Sequence, residues 1–322
     1  MLARPSGAEI HYAFGGLRVA SPFALPGLVV AAPARDFAEI RVALEDGPPP
    51  RGKPVYSWRG HYDLSLESFG DSWLVRQEEE AVIVISDHAR TLRCYCPDPA
   101  KLGQLAEIIG RRVLPRISSF FDRFPIHAAS LSDGEGVTLL IGGSGAGKST
   151  MTAALAHRLG WTIFADDMSV LTDESGLTAY PTAPGVSVWP ASQIGLALPP
   201  SECEPLQSYQ GKVWFAPTAA RDLRPRPVKA VILLSHASGD SISTRRMSGP
   251  LVLVALARQL VAFNPRDHRH IESLMTRLTR MVDGLPVYAL SYPRDFRLLP
   301  SAIDSIRGIR DEAQCVATAS AP

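Results

Sequence analysis

The stretch Gly142-Gly143-Ser144-Gly145-Ala146-Gly147-Lys148-Ser149-Thr150 constrains the chain most, because it fits the phosphate-binding (Walker A) pattern Gly-x4-Gly-Lys-Ser/Thr. Its flanks are the ones this pattern needs. Val137 to Ile141 is a short, β-branched apolar run suited to a buried strand. Lys148 to Leu159 reads as a helix, with Met151, Ala154, Leu155 and Leu159 at three- and four-residue spacing and Gly160 placed to end it. Strand, glycine loop and helix follow without a break. Glycines let backbone N–H groups turn toward a phosphate, and the helix N-terminus adds partial positive charge. Lys148 adds a full charge, and the Ser149 hydroxyl can ligate Mg²⁺. A plain glycine turn would need neither the lysine nor the hydroxyl. The stretch therefore predicts an ATP site.

A second apolar run, Thr162 to Ala165, ends in Asp166-Asp167. Acidic residues at a strand tip beside a phosphate loop stand where a metal ligand or a base is wanted. The half that contains them alternates apolar runs with helical periodicity, which predicts an α/β layer arrangement. Val228 to Leu234 and Pro286 to Leu290 read as strands, Pro250 to Phe263 as a helix with proline at its start, and Ile271 to Val282 as an amphipathic helix.

The preceding half is different. Ile10 to Phe14, Ala38 to Ala43, Ser72 to Gln77, Ala81 to Ile85 and Thr91 to Cys96 are strand-like, and Gly47 to Gly52 is a loop. Glu78-Glu79-Glu80 reads as a solvated hairpin turn, and His11, His61 and His88 as isolated surface or packing residues. Leu102, Leu105, Ile109 and Val113 predict a helix up to Pro115. A boundary near Arg123 gives a β-rich α+β domain over 1–123, a second domain over 124–310 and a disordered tail over 311–322.

With 322 residues the chain is long enough for about two domains. Its 33 Lys+Arg balance 32 Asp+Glu, so no global field favours nucleic acid or an anionic membrane as partner. The apolar stretch Phe23 to Ala34 is broken by Pro26 and Pro33 and is too short to span a bilayer. No secretory signal is expected, since Arg18 and polar residues precede that run. Cys94, Cys96, Cys203 and Cys315 form neither a disulfide framework nor a zinc site. A cytoplasmic protein, with a homo-oligomer left open, is the expectation.

Taken together, His127 in Pro-Ile-His-Ala-Ala, the loop Gly142 to Ser149, and Ala165-Asp166-Asp167 resemble the catalytic domain of HPr kinase/phosphorylase and its kinase relatives. The spacing is similar too: His127 lies 21 residues before Lys148, and Asp167 lies 19 after it. The resemblance covers about Phe124 to Arg307. It includes Pro184 to Pro190 and Leu285 to Arg294, which look like the divergent branch with kinases of lasso-peptide precursors. It implies a P-loop kinase domain using ATP and Mg²⁺. In it, Lys148 would contact the β/γ-phosphates, Ser149 would ligate the metal and Asp167 would accept the proton of an attacking serine hydroxyl. His127 would stand at the transferred phosphoryl group, and Asp166 would support a metal-bound water or orient Asp167.

Pro184 to Pro190 carries no Asp or Glu where the regulatory enzyme has an acidic metal ligand. The arginine-bearing loop linked with phosphorolysis has no clear equivalent, although Lys212, Arg221, Arg224 and Arg226 lie in that region. The resemblance thus implies a kinase of a peptide or small protein with little reverse phosphorylase activity. A kinase of a small-molecule hydroxyl, or a slow ATPase serving as a binding module, fits the same motifs. The first domain, which lacks catalytic spacing, is expected to hold a substrate or partner.

Overall fold

The structure is a computed structural model that describes residues 9–32, 39–59, 63–77, 81–174, 176–206, 211–218 and 222–319, except for the side chains of 283, 284 and 314–319. The Glu78–Glu80 turn, His61, Ala38 and Arg221 lie outside the described residues. The chain is mixed α/β with large mixed sheets. It divides into two compact units: Met1–Arg123 with Gln207–Gln210 and Ala262–Glu272, and Phe124–Leu206 with Gly211–Val261 and Ser273–Pro322. The sequence suggested one boundary, near Arg123. The segment 262–272 gives the chain a further crossing that no local pattern announces.

The first unit is built on nine strands: β1 (Ile10–Phe14), β2 (Leu17–Ser21), β3 (Val29–Val30), β4 (Glu39–Glu45), β5 (Lys53–Trp58), β6 (Leu64–Phe69), β7 (Ser72–Gln77), β8 (Ala81–Ser86) and β9 (Thr91–Tyr95). Their order is β3-β1-β2-β4-β9-β8-β7-β6-β5. Helix α1 (Leu102–Ile108) passes through a π-helical turn at Ile109–Val113 into α2 (Leu114–Ile117). Pro115, at the start of α2, has no N–H to give to the preceding turn, which is a sufficient reason for the widened ladder. In this unit Phe263 packs edge-on against Trp73 and Phe120, with ring centres 5.7 and 5.1 Å away. Glu67 is buried and accepts from Arg76 Nε at 2.7 Å and from the Gly52 amide at 2.9 Å.

The second unit holds β10 (Phe124–Ile126), β11 (Ala129–Ser132), β12 (Val137–Ile141), α3 (Lys148–Leu159), β13 (Thr162–Ala165), β14 (Ser169–Thr172), β15 (Thr178–Tyr180), β16 (Val186–Val188), α4 (Pro190–Gly195), β17 (Cys203–Pro205), β18 (Val213–Phe215), β19 (Arg226–His236), β20 (Ser243–Met247) and α5 (Pro250–Ala257). After these come α6 (His268–Gly284), of which this unit takes Ser273 onward, β21 (Val287–Tyr292) and α7 (Leu299–Ala319). The main sheet runs β10-β14-β15-β19-β12-β11-β13, and β21 also pairs with β19 and carries β20 on its far side. Strands β16, β18 and β17 form a small separate sheet.

Strand direction decides where the chemistry gathers. β12 and β19 are parallel, and so are β19 and β21. β11 is antiparallel to both β12 and β13, so β13 runs parallel to β12. The carboxyl ends Ile141, Ala165, His236 and Tyr292 therefore share one edge with the start of β11, which His127 precedes by two residues. This is the edge where open α/β sheets present ligand crevices. All five β12 residues are buried, and Met151, Ala154 and Leu155 of α3 share a core with Ala302, Ile303 and Ile306 of α7.

Two expectations are corrected. The helix expected over Pro250 to Phe263 stops at Ala257, because the backbone beyond it serves other partners: Gln259 O accepts the His127 amide at 2.7 Å, and the Val261 amide donates to Pro125 O at 3.3 Å. The tail expected to be disordered over 311–322 is helical to Ala319. Its composition is small but rich in good helix formers, and Ala313 is buried. Residues 320–322 lie outside the described residues.

Candidate active site

The glycine-rich loop between β12 and α3 has little room for side chains. A Cβ on Gly142 would meet Ala146 Cβ at 2.8 Å and Leu234 O at 2.9 Å. Gly145 and Gly147 adopt φ of +78° and +88°, and a Cβ on Gly147 would collide with the Tyr292 hydroxyl. At Gly143 a Cβ would meet nothing within 4 Å, so the loop is open there. The Ala146 amide donates to Gly143 O at 3.1 Å, closing a turn that contains Ser144. Gly147 caps α3 without any side-chain acceptor. The amides of Lys148, Ser149 and Thr150 in the first turn have no intrahelical partner by construction. Amides gathered at a helix start in this way can receive an anionic group such as a phosphate.

Lys148 opens α3 and is buried, its Nζ donating to Gly142 O at 2.8 Å. Burial holds its pKa below the ordinary lysine value, while Asp167 and Asp166 draw it back up. The two aspartates have separate partners. Asp166 Oδ1 accepts from the Ser149 hydroxyl at 3.1 Å and Oδ2 from the Ser187 amide at 2.9 Å. Asp167 Oδ1 lies 2.9 Å from His127 Nε2, with side-chain exposures of 57% and 39% leaving both reachable. The His127 stem is fixed by its own amide and by the neighbouring Ala128 carbonyl, which accepts from Ser169 Oγ at 2.8 Å. Thr150 is turned away: its hydroxyl is 2.9 Å from that of Ser192 in α4.

The Ser149 hydroxyl and the Asp166 carboxylate are hard oxygen donors of the kind Mg²⁺ takes. Among the described residues there is no cluster of three or more His, Cys, Asp or Glu that could hold a metal. Water and phosphate oxygens would have to complete the shell of a cation held here, as Mg²⁺ sites in nucleotide enzymes commonly allow.

Three further groups line the other side of the loop: His236, which no sequence pattern singled out, and Tyr292 and Arg294, which lie in the Leu285 to Arg294 stretch without having been given a role there. His236, the last residue of β19, donates from Nε2 to Gly145 O at 2.9 Å. The Tyr292 hydroxyl donates to Ala146 O at 3.1 Å, and burial pushes its pKa up to about 12, so it keeps that proton. Arg294 Nη2 donates to Gly145 O at 2.9 Å. Of the cations in the region of the missing arginine-bearing loop, Arg224 and Arg226 pair with Asp222, and Lys212 Nζ lies 4.9 Å over the Trp189 ring. Cys94, Cys96 and Cys203 are in no disulfide. Among the described residues no helix is long and apolar enough to cross a membrane. Compared with models of known protein families and with curated proteins, the chain matches none.

Proposed function

We propose that the protein is an ATP-dependent, Mg²⁺-requiring kinase of the HPr-kinase type, with a P-loop domain that transfers the γ-phosphoryl group to a serine hydroxyl of a peptide or small protein, such as a ribosomal lasso-type precursor. The observation that carries this reading is the division of labour between neighbouring carboxylates: Asp166 bonds the Ser149 hydroxyl at 3.1 Å, and Asp167 bonds His127 at 2.9 Å. Phosphoryl transfer needs positioning, charge neutralisation and a proton acceptor, and it asks for little else.

Bound Mg²⁺–ATP would supply the phosphoryl group and offset its charge. Lys148 and the first amides of α3 hold the β- and γ-phosphates. Ser149 and Asp166 offer the two protein oxygens for the cation. Asp167 takes the proton of the serine hydroxyl as its oxygen bonds to phosphorus and the bond to the departing ADP oxygen breaks. The His127 ring fixes the Asp167 carboxylate and would stand beside the transferring phosphoryl group. The test is incubation with labelled ATP and candidate acceptor peptides, read by mass. One added phosphate on a serine supports the reading. ATP loss without any phosphorylated hydroxyl would make the protein an ATPase.

A further inference from the structure

We infer that the turn after β21 seats the nucleobase, with the Arg294 guanidinium as its floor. This rests on the nucleotide reading of the site and adds where the other end of the ligand goes.

A nucleoside triphosphate has two chemically different ends. The transferring end belongs beside the carboxylates, and Asp166, Asp167 and His127 all lie on the β11/β13 side of the glycine loop. With the phosphates lying across the loop, the nucleoside must leave on the opposite side, above β19 and β21. The residues there are His236, Tyr292 and Arg294, and all three grip loop carbonyls. Arg294 alone among them is exposed.

The handling of Arg294 differs from that of three other arginines in this unit. Arg310 is bound to Asp133, Arg277 to Asp173 and Arg297 to Asp295. Arg294 instead donates to a neutral carbonyl, Gly145 O, at 2.9 Å. A Cβ on Gly145 would stand 3.3 Å from Arg294 Nη2, so glycine at that position leaves the guanidinium its place. One edge of the ion is pinned. Guanidinium planes stack on aromatic faces, and a purine is such a face.

The turn that presents Arg294 is braced. Asp295 accepts from the Arg297 amide at 2.8 Å and from Arg297 Nε at 3.1 Å, which commits its carboxylate to the entry of α7. Phe296 follows, partly exposed, with its ring against Gly195 at the end of α4. It adds an apolar surface next to the arginine in sequence.

The test compares ligands with and without a base. Full-length protein, Arg294→Ala and Arg294→Lys are titrated with Mg²⁺–ATP and with Mg²⁺–tripolyphosphate, after circular dichroism has shown that each is folded. Arg294→Ala is expected to weaken ATP about tenfold and to leave tripolyphosphate unchanged. Arg294→Lys, which keeps a donor for Gly145 O but no flat face, should fall nearly as far for ATP. Equal loss for both ligands would make Arg294 a phosphate ligand and overturn the inference, and so would no loss for either. Wild-type protein that binds neither ligand would overturn the nucleotide reading itself, a failure visible before any variant is measured.

Discussion

Two turns at opposite ends of the second unit's sheet carry aspartates, and they hold them differently. In the turn between β11 and β12, Asp133 Oδ1 accepts the Glu135 and Gly136 amides at 2.9 Å each, and Oδ2 accepts Arg310 Nε at 2.9 Å. After β13, Asp166 is held by a hydroxyl and an amide, and Asp167 by an imidazole. In the first unit Glu67 follows the Asp133 pattern, because its partner Arg76 is permanently charged and keeps its pKa low against the burial that raises it. A carboxylate locked to a guanidinium gains nothing from a ligand. Under the proposed function, a carboxylate held by serine or histidine is one that a metal or a proton could engage.

The largest effect expected from breaking this contrast is at Lys148. Lys148→Met should abolish ATP binding and transfer, because a thioether cannot offset phosphate charge. The same change should raise the melting temperature of the free protein, since folding disfavours the buried ammonium. Calorimetry with and without ATP reads both effects. Next comes Asp167→Asn, expected to slow transfer by about a hundredfold or more while ATP binding persists. If binding and turnover fall together, Asp167 is a metal ligand and the two aspartates share one role.

His127→Gln should cost about tenfold to a hundredfold in transfer with little change in melting, because a donor to Asp167 survives but the ring that fixes its carboxylate does not. A collapsed melting temperature with an unaltered rate per folded molecule would make His127 a packing residue. The smallest kinetic effect belongs to Arg310→Met at the other end of the sheet. It should leave the rate per folded molecule alone and lower stability by about 2 kcal/mol, the usual cost of losing a hydrogen bond between charged groups, since the half-buried Asp133 keeps its two amide donors. Urea denaturation measures this, and a slower rate at full folding would show that the two ends are not independent.

How much of this was legible in the sequence depends on how local each cause is. The bounds of β12, α3 and β13 coincide with the stretches read from periodicity and capping, since Gly160 at φ +67° ends α3 as a glycine does anywhere. The glycine loop and the Asp166-Asp167 pair were visible for the same reason. β2, β5 and β6 were not, because Leu17–Ser21 is buried throughout and shows no alternation, and Pro54 sits inside β5. The grip of His236 and Arg294 on Gly145 could not be read either. A histidine and an arginine carry no mark of a carbonyl that lies 91 and 149 residues away.

Those separations also bear on how the protein is made. A growing chain delivers the glycine loop and both aspartates early, yet β12 waits for β19 before it gains its parallel neighbour. The loop's last support arrives only with Tyr292, shortly before α7. Parallel pairings between distant segments form slowly, because the intervening loop must be closed before any contact rewards it. A nascent or truncated chain that stops short of β21 would thus hold the loop and acid motifs without the strands that shape them. Competence should appear in one step once β21 has been made.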